Sequence, residues 1–194
     1  MNKHTEMKSG EMTMAVLACG TMGTAILSGV LDCQAAMSRG EVSTDLSASS
    51  QAGETFERVP LPRKYIATVG RDSTAKRLVR TFEEAGHTNV EVFKQSNVEA
   101  VRKSDLVLLC TKPQRVSEFL SEPGMQEALE GKMVVSIAAG TTIAKIKQCV
   151  PSSTKVVRAM PNTPCRIREG MTVISDVKEL SHEQRDLLAT IFSA

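Results

Sequence analysis

Apolar and polar positions alternate in blocks along this chain, short solid apolar runs separated by longer mixed stretches. Positions 14–17 are wholly apolar and stand just before Gly20 and Gly23, after which 24–37 continues as a mostly apolar, helix-permitting segment. Short apolar runs of this kind suit strands buried inside a sheet. Further strand-length runs fall at 65–69, 90–93, 106–110, 133–138, 155–159 and 171–174. Between them the spacing predicts helices. Over 73–85, Ala75, Leu78, Val79 and Phe82 form one face, and Gly86 ends the segment. A polar helical turn or two covers 97–103, a helix carrying Val116, Phe119 and Leu120 follows Pro113, and a short helix covers 142–150. Ser181 and Gln184 form a capping-box pattern, and the helix they open presents Leu187, Leu188, Ile191 and Phe192. Strands alternating with helices predict a mostly parallel sheet with helices on both faces, a Rossmann-like doubly wound α/β fold.

Two stretches break the alternation. Residues 1–13 read as a disordered polar lead-in without the apolar centre of a signal peptide. Residues 38–64 are polar and too long for a plain helix-to-strand link, so they form either a surface insertion or a lid-like loop. The domain expected to hold the sheet is 14–178, with 179–194 opening a further unit.

A sheet of this kind binds ligands beyond the carboxyl ends of its strands. The first such end is Ala18, Cys19, Gly20, Thr21, Met22 and Gly23, a tight turn between strand and helix. A dinucleotide pyrophosphate fits there, on unpaired amides at a helix N-terminus. Gly20 lets the backbone approach the phosphates, and Gly23 lets the helix close on its strand; close packing alone is the rival explanation for both. Alanine at position 18 is tolerable only if φ stays negative. At the second strand end, Arg71 with Ser73 favours the extra phosphate of NADP over NAD, because a guanidinium offers several donors to a phosphate. The rival is a solvated Arg71, with Asp72 accepting from a ribose hydroxyl. Lys112 and Asn162 are candidates to touch cofactor or substrate, against plainer roles at a helix start and in a turn between prolines. Hydride transfer needs little else than a donor carbon held close to its acceptor with water excluded.

Composition narrows the classes. The 194 residues are 41% apolar and 24% charged, with a net charge of +2, which suits a globular domain and asks for no polyanionic partner. Aromatic residues amount to only 3%, too few for a surface that stacks nucleic-acid bases. Cys19, Cys33, Cys110, Cys149 and Cys165 lack metal or redox spacing and read as reduced thiols in a reducing, cytoplasmic compartment; no metal site is expected. No apolar run is long enough to span a membrane.

The segments ACGTMGTAILSG, CTKPQ, SIAAGTTI and VRAMPNTPCRIREG, taken jointly, resemble pyrroline-5-carboxylate reductase over residues 14–194, apart from the 38–64 insertion. The resemblance implies reduction of 1-pyrroline-5-carboxylate to L-proline with NADPH, or with NADH as second candidate. It implies that Cys19, Gly20, Thr21, Met22 and Gly23 hold the pyrophosphate, and that Arg71 and Ser73 meet the adenosine ribose and its phosphate. Asn97 matches a cofactor-contacting asparagine. Thr111, Lys112 and Pro113 line the nicotinamide side, and Ala138, Ala139 and Gly140 border its ribose. Met160, Pro161, Asn162 and Thr163 face the place where nicotinamide and substrate meet, so Lys112, Asn162 and Thr163 position the hydride transfer. Two departures stand out: Ala18 replaces a glycine, and members of the family continue into an all-helical domain that forms the dimer and much of the substrate pocket. The chain thus reads as truncated, with the helix face of Leu187, Leu188, Ile191 and Phe192 lacking its cover and a homo-oligomer expected only at full length. The alternatives are another NADP-dependent dehydrogenase of the same fold, acting on a 3-hydroxyacid or with coenzyme F420, or a nucleotide-binding module that senses redox state or binds NADPH without turnover.

Overall fold

The computed structural model describes residues 12–41, 59–175 and 177–194. The lead-in up to residue 11 and the bulk of the insertion, 42–58, lie outside the described residues. The elements are β1 (Thr13–Leu17), α1 (Thr21–Ser38), β2 (Lys64–Val69), α2 (Asp72–Glu84), β3 (Val90–Lys94), α3 (Asn97–Arg102) and β4 (Leu106–Leu109). A 3-10 turn over Pro113–Arg115 leads into α4 (Val116–Leu120), α5 (Met125–Leu129), β5 (Met133–Ser136), α6 (Ile143–Lys147) and β6 (Lys155–Pro161). A second 3-10 turn, Thr163–Ile167, precedes β7 (Thr172–Ser175) and α7 (His182–Phe192).

The seven strands lie in the order β3-β2-β1-β4-β5-β6-β7, all pairs parallel except the last. Strand order reverses direction at β1, so the crevice between β1 and its neighbours is the topological switch point where ligands of such sheets bind. Period-2 alternation sorts the core into two layers. Met14 and Val16 point with Tyr65, Ala67 and Leu108 to the face covered by α1, α2 and α7, while Ala15, Leu17, Ile66 and Val107 point to the face covered by α3 to α6. Burial on both faces explains the unbroken apolar run of β4.

Two expectations need correction, and one helix is additional to those expected. The apolar face of α7 is covered: Leu187, Leu188 and Ile191 are 3%, 1% and 3% exposed, packed in the same cluster as Ile26, Leu27 and Val30 of α1. The helix buries its stripe on its own sheet layer, and the predicted capping box of Ser181 and Gln184 fixes where it starts. Val79 does not share the buried face of α2; Leu78 and Phe82 carry it, and Val79 is 39% exposed. Helix α5 was not predicted: it is five residues long and opens after Gly124 at φ 84, a left-handed start suited to glycine.

Candidate functional site

The switch point opens into a cleft of about 450 Å³ lined by Ala18, Thr68, Val69, Gly70, Arg71, Gln95, Asn97, Arg115, Phe119 and Glu122. Of the residues expected to hold a ligand, Arg71 and Asn97 line it together, with Ala18 at its floor. Arg115, Phe119, Glu122 and Gln95 were not foreseen. Arg115 follows the CTKPQ segment and Phe119 lies on the predicted helix after it, but only the fold brings these four residues to the ends of β1 and β2. Arg115 lies over the Phe119 ring, 4.9 Å from its centroid, and pairs with Glu118 at 2.6 Å.

The turn after β1 is sharper than a plain link. Ala18 sits at φ 55, a left-handed conformation that costs an L-residue about 1–2 kcal/mol. Gln95 across the cleft is likewise left-handed at φ 51. Strained residues of this kind gather at functional sites. The Cys19 amide donates to the Thr68 carbonyl at 2.7 Å, and the Gly20 amide to the Ala18 carbonyl at 2.7 Å. Those two amides are therefore spent inside the protein. The donors open at the helix start are those of Thr21, Met22 and Gly23: the first intrahelical acceptor, Gly20, serves Thr24 at 2.8 Å, no side chain caps the helix, and its first turn holds no acid. An anion is favoured there by both the free amides and the helix dipole.

The two glycines of the turn play different parts. A Cβ built on Gly23 would lie 3.1 Å from the Cys110 sulfur and 3.2 Å from Val16, so this position is fixed by packing of α1 against β1 and β4. A Cβ on Gly20 would meet nothing closer than the Ala18 carbonyl at 3.8 Å. Protein packing therefore does not demand glycine at position 20, which leaves room for a group approaching from outside. The residues present thus fit a dinucleotide. The Cys19 thiol, buried beneath the turn, is pushed up to about 11, and burial also raises Cys110; both stay protonated at neutral pH and serve as packing.

At the second strand end Arg71 caps α2 and is exposed, with its side chain bordering the cleft. The carboxylate of Asp72, the rival for the ribose, pairs with Lys94 of β3 at 2.8 Å. Ser73 lies exposed in the first turn of α2. Asn97 is buried, with both ends of its amide engaged by Thr68 and Glu122.

The remaining candidates stand along the same carboxyl edge but do not line this cleft. Thr111 is buried and Lys112 exposed at the end of β4, with Pro113 in the first position of the 3-10 turn, where its missing amide proton costs nothing. Ala138 is buried, and Ala139 and Gly140 form an exposed turn after β5, Gly140 at φ 72. Asn162 closes its own loop: its Oδ1 accepts from the Met171 amide at 2.9 Å, and its backbone amide donates to the Met171 carbonyl at 3.2 Å. Thr163 opens the exposed 3-10 turn beside it. Arg168, at the end of that turn, pairs with Asp32 of α1, whose other oxygen contacts His87 Nε2 at 3.1 Å. Among the described residues no cluster of three or more His, Cys, Asp or Glu side chains is arranged to hold a metal ion.

Residues 13–140, from the first strand through the turn after β5, match the family described as NADP oxidoreductase, coenzyme F420-dependent. The chain belongs to this family. Among curated proteins it is 38% identical to a pyrroline-5-carboxylate reductase of Lophium arboricola, over 97% of this chain and 60% of that protein. It is 36% identical to the one of Neurospora crassa, over 95% and 59%, and 32% identical to the one of Schizosaccharomyces pombe, over 92% and 57%. The chain therefore spans between 57% and 60% of the length of these relatives. Among solved structures, a pyrroline-5-carboxylate reductase from Coxiella burnetii superposes with a TM-score of 0.68 at 20% identity, over 94% of this chain and 56% of that one. A pyrroline carboxylate reductase from Plasmodium falciparum with NADP bound gives 0.64 at 20% identity, over 94% and 54%. At such identities the superpositions establish the fold, a Rossmann-like sheet.

Proposed function

We propose that this chain binds NADP(H) across the ends of β1 and β2 and forms the cofactor half of a reductase that converts 1-pyrroline-5-carboxylate to L-proline in the cytoplasm. The observation that carries the cofactor is the pairing of Gly20, free of any packing need for glycine, with Arg71 on the wall of the adjoining cleft. The amides of Thr21, Met22 and Gly23 receive the pyrophosphate, and Arg71 with Ser73 receives the phosphate on the adenosine ribose. Pairing of the Asp72 carboxylate with Lys94 supports NADP over NAD, since it offsets the charge of the carboxylate next to Arg71. The 30-odd per cent identity to enzymes named for pyrroline-5-carboxylate carries the choice of substrate.

A reduced nicotinamide supplies the hydride that saturates the C=N bond of the substrate ring. The protein's share is orientation and dryness. Thr111, Lys112 and Pro113 flank the nicotinamide end from β4, Ala138 to Gly140 from β5, and Asn162 with Thr163 from β6. That last segment is open: Ile167 and Met171 are 72% and 63% exposed, and the Asn162 side chain is occupied by its own loop. On this ground the 194-residue chain alone is expected to bind NADPH while reducing pyrroline carboxylate slowly or not at all, and self-association belongs to the longer proteins. Steady-state assays of the chain alone and within a protein of its relatives' full length test this. Activity appearing only at full length is the expected result; rapid turnover by the chain alone would contradict it. Replacing NADPH by reduced coenzyme F420, and the imine by a 3-hydroxyacid with NADP, gives the arms that separate the alternative dehydrogenases.

A further inference from the structure

The left-handed turn at Ala18 needs something to hold it, and a chain of polar groups runs to it from the far side of the cleft. The Ala18 amide donates to the Thr68 hydroxyl oxygen at 3.1 Å. That hydroxyl donates to Asn97 Oδ1 at 2.7 Å, and Asn97 Nδ2 donates to Glu122 Oε1 at 2.6 Å. Thr68 is 1% exposed and Asn97 9%, so water has little access to the middle of the chain.

The polarity of this chain is set at one end. A carboxylate only accepts hydrogen bonds. Glu122 therefore demands the NH₂ of Asn97, which turns the amide oxygen toward Thr68. An amide oxygen only accepts as well, so the Thr68 hydroxyl spends its single proton on Asn97 and keeps a lone pair for the Ala18 amide. With the amide reversed, its NH₂ would donate to the Thr68 hydroxyl and compete with the Ala18 N–H for that oxygen, while the hydroxyl proton would lose its buried acceptor.

We infer, resting on the dinucleotide reading of the same cleft, that Glu122 is a positioning residue: through Asn97 and Thr68 it holds Ala18 in the left-handed turn that presents the helix-start amides to the cofactor. Alanine makes the support necessary. Glycine adopts positive φ without steric cost, so a glycine at position 18 would form the turn unaided.

The inference predicts an effect opposite in sign to plain electrostatics. Glu122 is a negative charge lining a cleft for a polyanion, and its removal by itself should tighten binding. Loss of the relay should weaken it. In fluorescence titrations of the full chain with NADPH, Glu122→Ala is expected to raise Kd about five- to tenfold, the scale of one lost neutral hydrogen bond. Glu122→Gln keeps an acceptor for Asn97 and removes the charge, so it should bind as tightly as the parent or more tightly. Ala18→Gly should absorb most of the loss, leaving the Ala18→Gly/Glu122→Ala pair within about twofold of Ala18→Gly alone, a coupling read from the double-mutant cycle. Thermal unfolding checks that each variant is folded, and Glu122→Gln and the paired variant decide the matter should Glu122→Ala unfold. Equal or tighter NADPH binding by folded Glu122→Ala would overturn the inference and leave the dinucleotide site standing. So would an undiminished loss in the Ala18→Gly background. Failure of the parent chain to bind NADPH would defeat both.

Discussion

The two ends of the carboxyl edge of this sheet are built differently. Around β1, β2 and β4, strained backbone at Ala18 is tied through Thr68 to a buried hydrogen bond, one glycine is dictated by packing, and the other faces open space. Around β6 and β7, the loop is exposed, Asn162 bonds its own segment, and Ile167, Met171 and Val173 show apolar surface. The first end has its geometry settled before any ligand arrives, which is what pre-organised anion binding requires. The second borrows little from the core. In the proposed function, the cofactor and the acceptor therefore depend on separable parts of the molecule.

The sharpest way to break this contrast is at Gly20. Gly20→Val places a branched side chain where the pyrophosphate is to lie, while protein atoms leave room for it. NADPH affinity is expected to fall about 100-fold or more, equivalent to two charge-assisted hydrogen bonds, with the unfolding temperature nearly unchanged. Gly23→Val should do the reverse. It drives a side chain into Cys110 and Val16 and costs about 1–3 kcal/mol of stability, read by denaturant unfolding, with binding lost only as α1 shifts. If both variants lost binding and stability alike, the division of labour between the two glycines would be wrong.

A smaller effect probes the other end. Burial of the His87 ring holds its pKa below the usual histidine value, beside an Asp32 carboxylate that also pairs with Arg168. Between its folded pKa and about 6.5, the unfolded chain binds more protons than the folded one, so stability falls as pH drops through that window. His87→Gln should flatten the slope of unfolding free energy against pH below neutrality while leaving NADPH binding at neutral pH unchanged. An unaltered slope would remove His87 from the account.

Much of this was legible in the residue pattern. Every predicted strand is present with ends within about two residues, because a central parallel strand such as β4 must be apolar on both faces. Gly20, Gly23 and Arg71 stood out as candidates in the sequence; the structure puts the glycines in the tight turn and Arg71 on the cleft wall. The relay did not. It joins positions 50, 29 and 25 residues apart; Asn97 was marked only by the family resemblance, and Thr68 and Glu122 are unremarkable until the sheet brings them together. The conformation of Ala18 was posed by the sequence as a question of the sign of φ, and the structure answers it at φ 55. The cover of α7 was misread because an apolar stripe near the end of a chain looks alike whether its own sheet or another unit buries it.

The account turns on a dinucleotide whose additional phosphate meets Arg71. Calorimetric titration of the chain and of Arg71→Ala with NADPH and NADH tests this most directly. The parent should bind NADPH about tenfold or more tightly than NADH, and the variant should bind the two alike, its loss falling on NADPH alone. Equal affinities in the parent, or an equal loss for both cofactors in the variant, would contradict it.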